Sequence, residues 1–593
     1  MQVEFDEALG NQVVAATIVD ELYRSGVRTA TISPGSRSTP LALALAAHPG
    51  IDSRVILDER AAAFFALGAA KASGRPVAIL TTSGTAATEL TPAVTEAALS
   101  QVPLVILSAD RPLELYGSGA AQTIDQSVLY GGSLLLRRLI DAGAPSSWKR
   151  LRAVVSHALL AAGGLSGSRG PVQLNVSFRE PLISRGSDLP GALPGRADGR
   201  PWYEAVDLAD PRAAKRMARS LLEVRRGLLI VGEAERDEAV FALSELLGWP
   251  TWVDPRSGLV RRSRLAFTHQ DAVARVADVE KLLAPEFVLY LGRPQASRAL
   301  SEMLARLAAP GGPTTLWRGG DCGKDPEGLA TGFLLGPPDR LVAALTELEL
   351  ETEVAIEADY VQAFAALDGA CEKVIADMES TGQLGVEIEV SRRLVESLGE
   401  ADLLFSAASM PMRDLEFYAG PSDDYPRVLE NRGANGIDGT IASFAGAAVA
   451  HALVRPDGIS VLVLGDLAFV YDASFLKELA RIEAPLLVVV IDNGGGGIFS
   501  LLSQRRLAPA ETFEALFGTP HGLDLVTLAQ AYGMSVSISE EASEVGAAIS
   551  KLREDGRKRI LVVRSDRDAN LEAHVRLSSL LSEAMSEILV ADE

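Results

Sequence analysis

Cysteine is nearly absent: Cys322 and Cys371 are the only two in 593 residues. They form no CxxC or other metal-ligand spacing, which excludes a disulfide framework and a structural zinc site and fits a reducing cytosol. Long apolar runs are missing as well. No stretch of about 18 uncharged apolar residues occurs, so the sequence predicts no membrane-spanning helix. The first ten residues carry Glu4, Asp6 and Glu7 where an export signal has a basic flank and an apolar core, and no standard signal is expected. Positive charge is in deficit. With 56 Lys and Arg against 78 Asp and Glu, the formal charge of −22 repels nucleic acid and anionic membranes at long range. The expected setting is cytoplasmic, with small-molecule partners, no nucleic acid and no membrane insertion. Histidine is scarce too: the six, at 48, 157, 269, 451, 521 and 574, fall in none of the motifs below. That disfavours Ser-His-Asp catalysis and histidine metal sites.

What remains is the composition of a globular enzyme: 48% hydrophobic and 23% charged residues, with 53 Gly and 30 Pro to punctuate many short elements. At roughly 100–200 residues per domain, the length suits three or four domains. Short apolar runs alternate with amphipathic helical stretches. Val27–Ile32, Arg54–Leu57, Pro76–Leu80 and Val102–Leu107 read as strands of a first region. Gly227–Val231, Thr251–Val253 and Phe287–Leu291 belong to a second, and Leu403–Ser406, Ser460–Leu464, Leu486–Ile491 and Ile560–Val563 to a third. This alternation predicts an α/β protein of three doubly wound parallel-sheet domains. Residues 1–186, 187–352 and 353–593 are the expected domains, with the Gly/Pro-rich stretch Ser184–Pro201 as a linker. No tandem repeat is visible, although the first and third regions could share a topology.

Chemistry concentrates between Ile459 and Leu502. Strand Ser460–Leu464 ends in Gly465-Asp466, a helix is expected near Ala473–Arg481, and strand Leu486–Ile491 ends in Asp492-Asn493 and four glycines. If these strands are neighbours, a right-handed βαβ unit brings Asp466 and Asn493 to one carboxyl edge, where open α/β sheets bind ligands. A carboxylate and an amide oxygen suit Mg²⁺, and glycines let a phosphate approach backbone. The alternative is that Asp466 merely caps a helix beside a flexible loop.

Gly465-Asp466 followed 27 residues later by Asn493 resembles the thiamine-diphosphate motif, with Leu467 standing where most of that superfamily has a second Gly. The stretches Ser33 to Thr39 (SPGSRST), Asp58-Glu59-Arg60, Thr82-Ser83-Gly84-Thr85, Ala109-Asp110-Arg111-Pro112, Gln122 to Gln126 (QTIDQ) and Asn431 to Gly439 (NRGANGIDG) extend the likeness. Together they resemble the 2-succinyl-5-enolpyruvyl-6-hydroxy-3-cyclohexene-1-carboxylate synthase (MenD) family of menaquinone biosynthesis, which tolerates a non-Gly residue after Gly-Asp.

The resemblance implies a pyrimidine-binding first domain, a Rossmann-like central domain and a diphosphate-binding third domain, of the thiamine-diphosphate enzyme type. It implies decarboxylation of 2-oxoglutarate and conjugate addition of the succinyl unit to isochorismate, with thiamine diphosphate and Mg²⁺, or Mn²⁺ in its place, as cofactors. Glu59 would protonate the aminopyrimidine from a position buried enough to raise its pKa. An N-terminal helix Glu facing the helix dipole is the structural alternative. Asp466, Asn493 and Gly495 would hold the metal; Ser409, Ile437, Ile498 and Phe499 would join Glu59 around the cofactor. Ser36, Arg37, Arg111, Gln122, Arg298, Ser409, Arg413, Arg432, Phe499 and Leu502 would face substrate, and Ser36, Arg37, Gln122 and Arg413 would share the catalytic work with Glu59. Guanidinium forks match two dicarboxylate substrates. A homodimer or homotetramer with cofactor sites between subunits is implied. The nearest competing reading is an acetolactate-synthase-like carboligase; a catalytically silent nucleotide-binding relative is the other.

Overall fold

The computed structural model describes residues 7–591 apart from 144–147, 165–166, 185–188, 204–210, 234–238, 258–259, 261–263, 309–313, 320–324, 327, 335, 350–355 and 423. Cys322 and the expected domain boundaries at 186/187 and 352/353 lie outside the described residues. The chain forms two compact units: residues 1–207, 431–458 and 468–484 make one, and residues 208–430, 459–467 and 485–593 the other. Among the described residues no helix is long and apolar enough to cross a membrane.

The first unit holds strands β1 (Thr29–Ile32), β2 (Asp52–Val55), β3 (Val77–Thr81), β4 (Leu104–Asp110), β5 (Leu136–Asp141) and β6 (Val172–Ser177). They form one parallel sheet in the order β2-β1-β3-β4-β6-β5. The order reverses between β1 and β3, so the crevice at their carboxyl ends is framed by the loops after Ile32 and Thr81. Those loops approach closely, and a Cβ on Gly35 would strike the Thr82 side chain.

Behind the sheet, helix Glu59–Ser73 packs on helix Thr440–Val454 through alanines and two glycines. A side chain on Gly68 would meet the Ser443 carbonyl, and one on Gly446 the Phe65 carbonyl. Backbone contact this close fixes the helix that begins at Glu59. Gly446→Val is therefore expected to cost about 1–3 kcal/mol or more through overpacking, read as a lowered midpoint in urea unfolding.

The second unit carries two sheets. Strands β7 (Gly227–Val231), β8 (Thr251–Val253), β9 (Ala266–Phe267), β10 (Phe287–Leu291), β11 (Thr315–Gly319) and β12 (Gly332–Leu334) are ordered β12-β11-β10-β7-β8-β9. This is the doubly wound Rossmann order. Strands β13 (Leu403–Ser406), β14 (Arg427–Glu430), β15 (Ser460–Gly465), β16 (Leu486–Asp492), β17 (Val536–Ser539) and β18 (Arg559–Arg564) run β14-β13-β15-β16-β18-β17. Position for position, that repeats the order of the first sheet, so the shared topology is real. Valines and leucines of β13, β15 and β16 are fully buried, as parallel strands covered on both faces require.

Some boundaries differ from the expected ones. The helical stretch after β3 is two pieces, Thr85–Thr88 and Thr91–Leu99, with Pro92 in the first turn of the second, where a missing N–H costs nothing. The expected Ala473–Arg481 helix is a helix Asp466–Tyr471, a 3₁₀ turn Ala473–Phe475 and a short helix Leu476–Leu479.

Candidate active site

In the first unit, the chemistry gathers at the carboxyl edge of β1, β3 and β4. Arg37 is buried, donating to the Phe178 carbonyl at 2.9 Å and to Glu180 at 3.0 Å. Arg111 donates to the Ser83 hydroxyl and, at 3.0 Å, to Gln122 Oε1. Gln122 is exposed and adopts a left-handed backbone, φ +57°. Burial and the nearby charge of Arg37 both push the Arg111 pKa down, so two guanidiniums repel across an edge where an anion would relieve them. Ser36 stands exposed in the same loop.

Glu59 is the first residue of helix Glu59–Ser73, whose N-cap Asp58 accepts from the Ala61 amide at 3.0 Å. It is half-buried within its unit, less enclosed than the sequence reading expects, because a first-turn side chain projects beyond the helix body. Arg432 and Ile437 lie in the loop preceding helix Thr440–Val454. Glu96, itself buried, accepts from the amides of Gly433 at 3.0 Å and Ala434 at 2.6 Å and pairs with Lys71 at 3.2 Å. That fixes the backbone immediately after Arg432. Ile437 is 41% exposed.

In the second unit, β15 and β16 pair in parallel with Gly465 opposite Ile491, so Asp466 and Asn493 emerge at one carboxyl edge. Asp466 is 1% exposed; its Oδ2 accepts from Gly495 N at 2.8 Å and its Oδ1 from Leu467 N at 2.6 Å. Burial raises its pKa against the opposing pull of those two amides. Asn493 donates from Nδ2 to Glu387 Oε1 at 3.0 Å, while its Oδ1 is buried without a donor. A buried acceptor lacking a donor suits a cation.

Gly495 adopts φ +147°. A Cβ there would strike the Gly518 carbonyl, and one on Gly496 the Phe517 carbonyl. These two glycines are thus required by the chain's own backbone, a reason independent of any phosphate. Phe499 packs on Phe517 at 5.7 Å between ring centroids. Ile498 is half-buried and Leu502 exposed on the same loop. Ser409 stands at the N-cap position of helix Met410–Tyr418 without a side-chain capping bond, and its carbonyl accepts from Arg413 at 2.9 Å.

Two residues escape the sequence reading. Glu387, 1% exposed on helix Val386–Ser397, is joined by the Ser565 hydroxyl at 2.7 Å. Burial and the Asp466 charge raise its pKa. His521 Nε2 lies 3.4 Å from Asp466 and 3.6 Å from Asp492, although His521 falls in none of the sequence motifs. Its Nδ1 accepts from Leu523 N at 3.1 Å, so the neutral ring carries its proton on Nε2, toward the carboxylates. No local spacing signals either residue; tertiary folding alone delivers them.

Arg298 is not brought to this edge. Its side chain is 90% exposed and pairs with Glu302 at 2.7 Å, one turn along its own helix. Near the switch point of the central sheet, among the described residues, Glu233 pairs with Arg293 at 3.4 Å, and the buried Arg256 pairs with Asp254 at 2.8 Å and Glu430 at 2.7 Å.

Residues 12–129 match the family "Thiamine pyrophosphate enzyme, N-terminal TPP binding domain", and residues 425–563 its C-terminal TPP binding domain counterpart. The chain is 37% identical to 2-succinyl-5-enolpyruvyl-6-hydroxy-3-cyclohexene-1-carboxylate synthase of Myxococcus xanthus, covering 97% of this chain and 98% of that one. For the synthase of Listeria monocytogenes the identity is 35%, over 96% and 97%, and for that of Halobacterium salinarum 35%, over 96% and 98%. A solved thiamine diphosphate-dependent 4-hydroxybenzoylformate decarboxylase from Rhodococcus jostii RHA1 shares the fold, with a TM-score of 0.69 at 17% identity over 93% of this chain and 99% of that one. Kinship at this level along nearly the whole sequence means that the chain belongs to the 2-succinyl-5-enolpyruvyl-6-hydroxy-3-cyclohexene-1-carboxylate synthase family of thiamine pyrophosphate enzymes.

Proposed function

We propose that the chain carries out the reaction its family is named for: decarboxylation of 2-oxoglutarate and conjugate addition of the succinyl unit to isochorismate, within menaquinone biosynthesis. The supporting observation is the β15–β16 pairing that sets Asp466 beside Asn493, whose Oδ1 is buried without a donor. Asp466, Asn493 Oδ1 and the Gly495 carbonyl would hold Mg²⁺ or Mn²⁺, an all-oxygen set suited to a hard cation. The Gly495 carbonyl also accepts from Gly497 N at 2.9 Å, which leaves it one lone pair. When bound, thiamine diphosphate supplies the carbon nucleophile and the electron sink for loss of CO₂.

The chain's own residues bind and orient. Glu59 would exchange a proton with the aminopyrimidine; Ser409, Ile437, Ile498 and Phe499 would border the cofactor. Arg37, Arg111, Arg413 and Arg432, with Ser36, Gln122, Phe499 and Leu502, would receive the two dicarboxylates, the mutual repulsion of Arg37 and Arg111 being offset by the anion they bind. Arg298, exposed and ion-paired, would reach substrate only after leaving Glu302. A cytoplasmic homodimer or homotetramer belongs to the same proposal, its mass to be read by analytical ultracentrifugation.

The deciding experiment is incubation with 2-oxoglutarate, isochorismate, thiamine diphosphate and Mg²⁺, with mass spectrometry of the products. The expected product is 2-succinyl-5-enolpyruvyl-6-hydroxy-3-cyclohexene-1-carboxylate. Turnover of pyruvate alone to acetolactate would replace this reading by the carboligase one. Asp466→Ala is expected to weaken metal and thiamine diphosphate binding together, each by at least about tenfold, since the metal bridges protein and diphosphate. Isothermal titration calorimetry giving native affinity for both would refute the assignment.

A further inference from the structure

We infer that Glu387, which lies far from the Asp466–Asn493 motif in sequence, is the positioning residue that turns the Asn493 amide so that its oxygen, rather than its nitrogen, is offered to the metal. The inference rests on the proposed metal-binding role of Asp466 and Asn493.

A side-chain amide has one acceptor atom and one NH₂ of nearly equal size, and only the oxygen can ligate a cation. Packing alone discriminates poorly between the two orientations, so a partner must. Glu387 Oε1 accepts from Asn493 Nδ2 at 3.0 Å. A flipped amide would set Oδ1 against Oε1, two acceptors at hydrogen-bond distance, which repel. Oε1 accepts whether or not the carboxyl carries a proton.

Glu387 is itself held. Ser565 donates to the same Oε1 at 2.7 Å, and Ser565 N donates to the Asp492 carbonyl at 3.0 Å, tying the end of β18 to the end of β16. Gly497 completes the clamp, because a Cβ there would lie 2.6 Å from Nδ2. The acceptor is buried, at 1% exposure, so no water replaces it when it is removed. Such partners behind a metal ligand fix its orientation and affinity.

The test is Mn²⁺ binding to the full chain at saturating thiamine diphosphate, read from the free-Mn²⁺ electron paramagnetic resonance signal. Glu387→Met keeps the volume and removes the acceptor. It should weaken Mn²⁺ binding roughly 10–100-fold, and Glu387→Gln, which can still present an oxygen, should recover most of that loss. Native Mn²⁺ affinity in a folded Glu387→Met, with Asp466→Ala impaired, would overturn the inference and leave the metal assignment standing. Equal impairment in the Met and Gln variants would also overturn it, since bulk and fold would then explain the effect. If Asp466→Ala too retains native Mn²⁺ affinity, the metal assignment fails and takes the Glu387 role with it. Should Glu387→Met not fold, Ser565→Ala carries the same expectation at smaller size, and native affinity there counts against the clamp.

Discussion

Glu59→Gln is expected to give a folded chain that still takes up thiamine diphosphate but exchanges the cofactor's C2 proton about 10²–10⁴-fold more slowly, the usual range for general acid–base assistance. The substitution is nearly isosteric and leaves the helix cap alone, because the cap is Asp58, whose side chain accepts from Ala61 N. That separation distinguishes the two readings of Glu59. If it served only the helix dipole, its loss would cost about 0.3–1 kcal/mol of stability and no exchange rate. Asp58→Ala supplies the reverse control: about 1 kcal/mol of stability through the lost cap, with C2 exchange kept. Proton NMR on quenched samples measures the exchange directly, and an unchanged rate in Glu59→Gln would remove Glu59 from the proton pathway.

The fold was legible where strands are central and apolar. Gly227–Val231, Thr251–Val253, Phe287–Leu291 and Leu403–Ser406 are strands over the residues that the apolar runs predict. Edge strands were less legible: Asp52–Val55 is read two residues late, as Arg54–Leu57. Leu136–Asp141, Arg427–Glu430 and Val536–Ser539 each border a sheet and carry charged or hydroxyl side chains, so no apolar run announces them. Val172–Ser177 escaped for a different reason. It is fully buried between β4 and β5 but carries Gln173 and Asn175, which donate to Ser108 at 2.9 Å and Asp110 at 2.7 Å. Polar side chains with buried partners imitate a loop in sequence.

The candidate site divides the same way. Asp466 and Asn493 stand out because each follows a strand and the two strands are neighbours, which makes a sequence spacing into a spatial one. Glu387 lies 106 residues from Asn493, and His521 sits beyond the loop that follows β16. Contacts of that range depend on helix and loop placement, for which hydrophobic periodicity carries no signal.

Arg413→Ala and Arg432→Ala are each expected to depress kcat/KM for 2-oxoglutarate, isochorismate or both while thiamine diphosphate affinity changes only a few-fold. Both residues follow strands of the third sheet, Arg413 after β13 and Arg432 after β14, and neither belongs to the Asp466–Asn493 pair. Neither backbone depends on its own guanidinium or on a ligand: Arg413 lies within helix Met410–Tyr418, where its guanidinium only adds a bond to the Ser409 carbonyl at 2.9 Å, and the amides after Arg432 are held by Glu96. Truncation to Ala should therefore remove the guanidinium without collapsing the loop. Losing a bidentate contact to a desolvated carboxylate should cost on the order of 2–5 kcal/mol, much of it from leaving the substrate charge unpaired. Lys should rescue only in part, because it keeps the charge and loses the planar fork. Steady-state kinetics with each substrate varied in turn, alongside cofactor titration, separates the outcomes. Abolished cofactor binding in a folded variant, with native substrate kinetics at saturating cofactor, would move these arginines to the diphosphate and leave dicarboxylate recognition to Arg37 and Arg111.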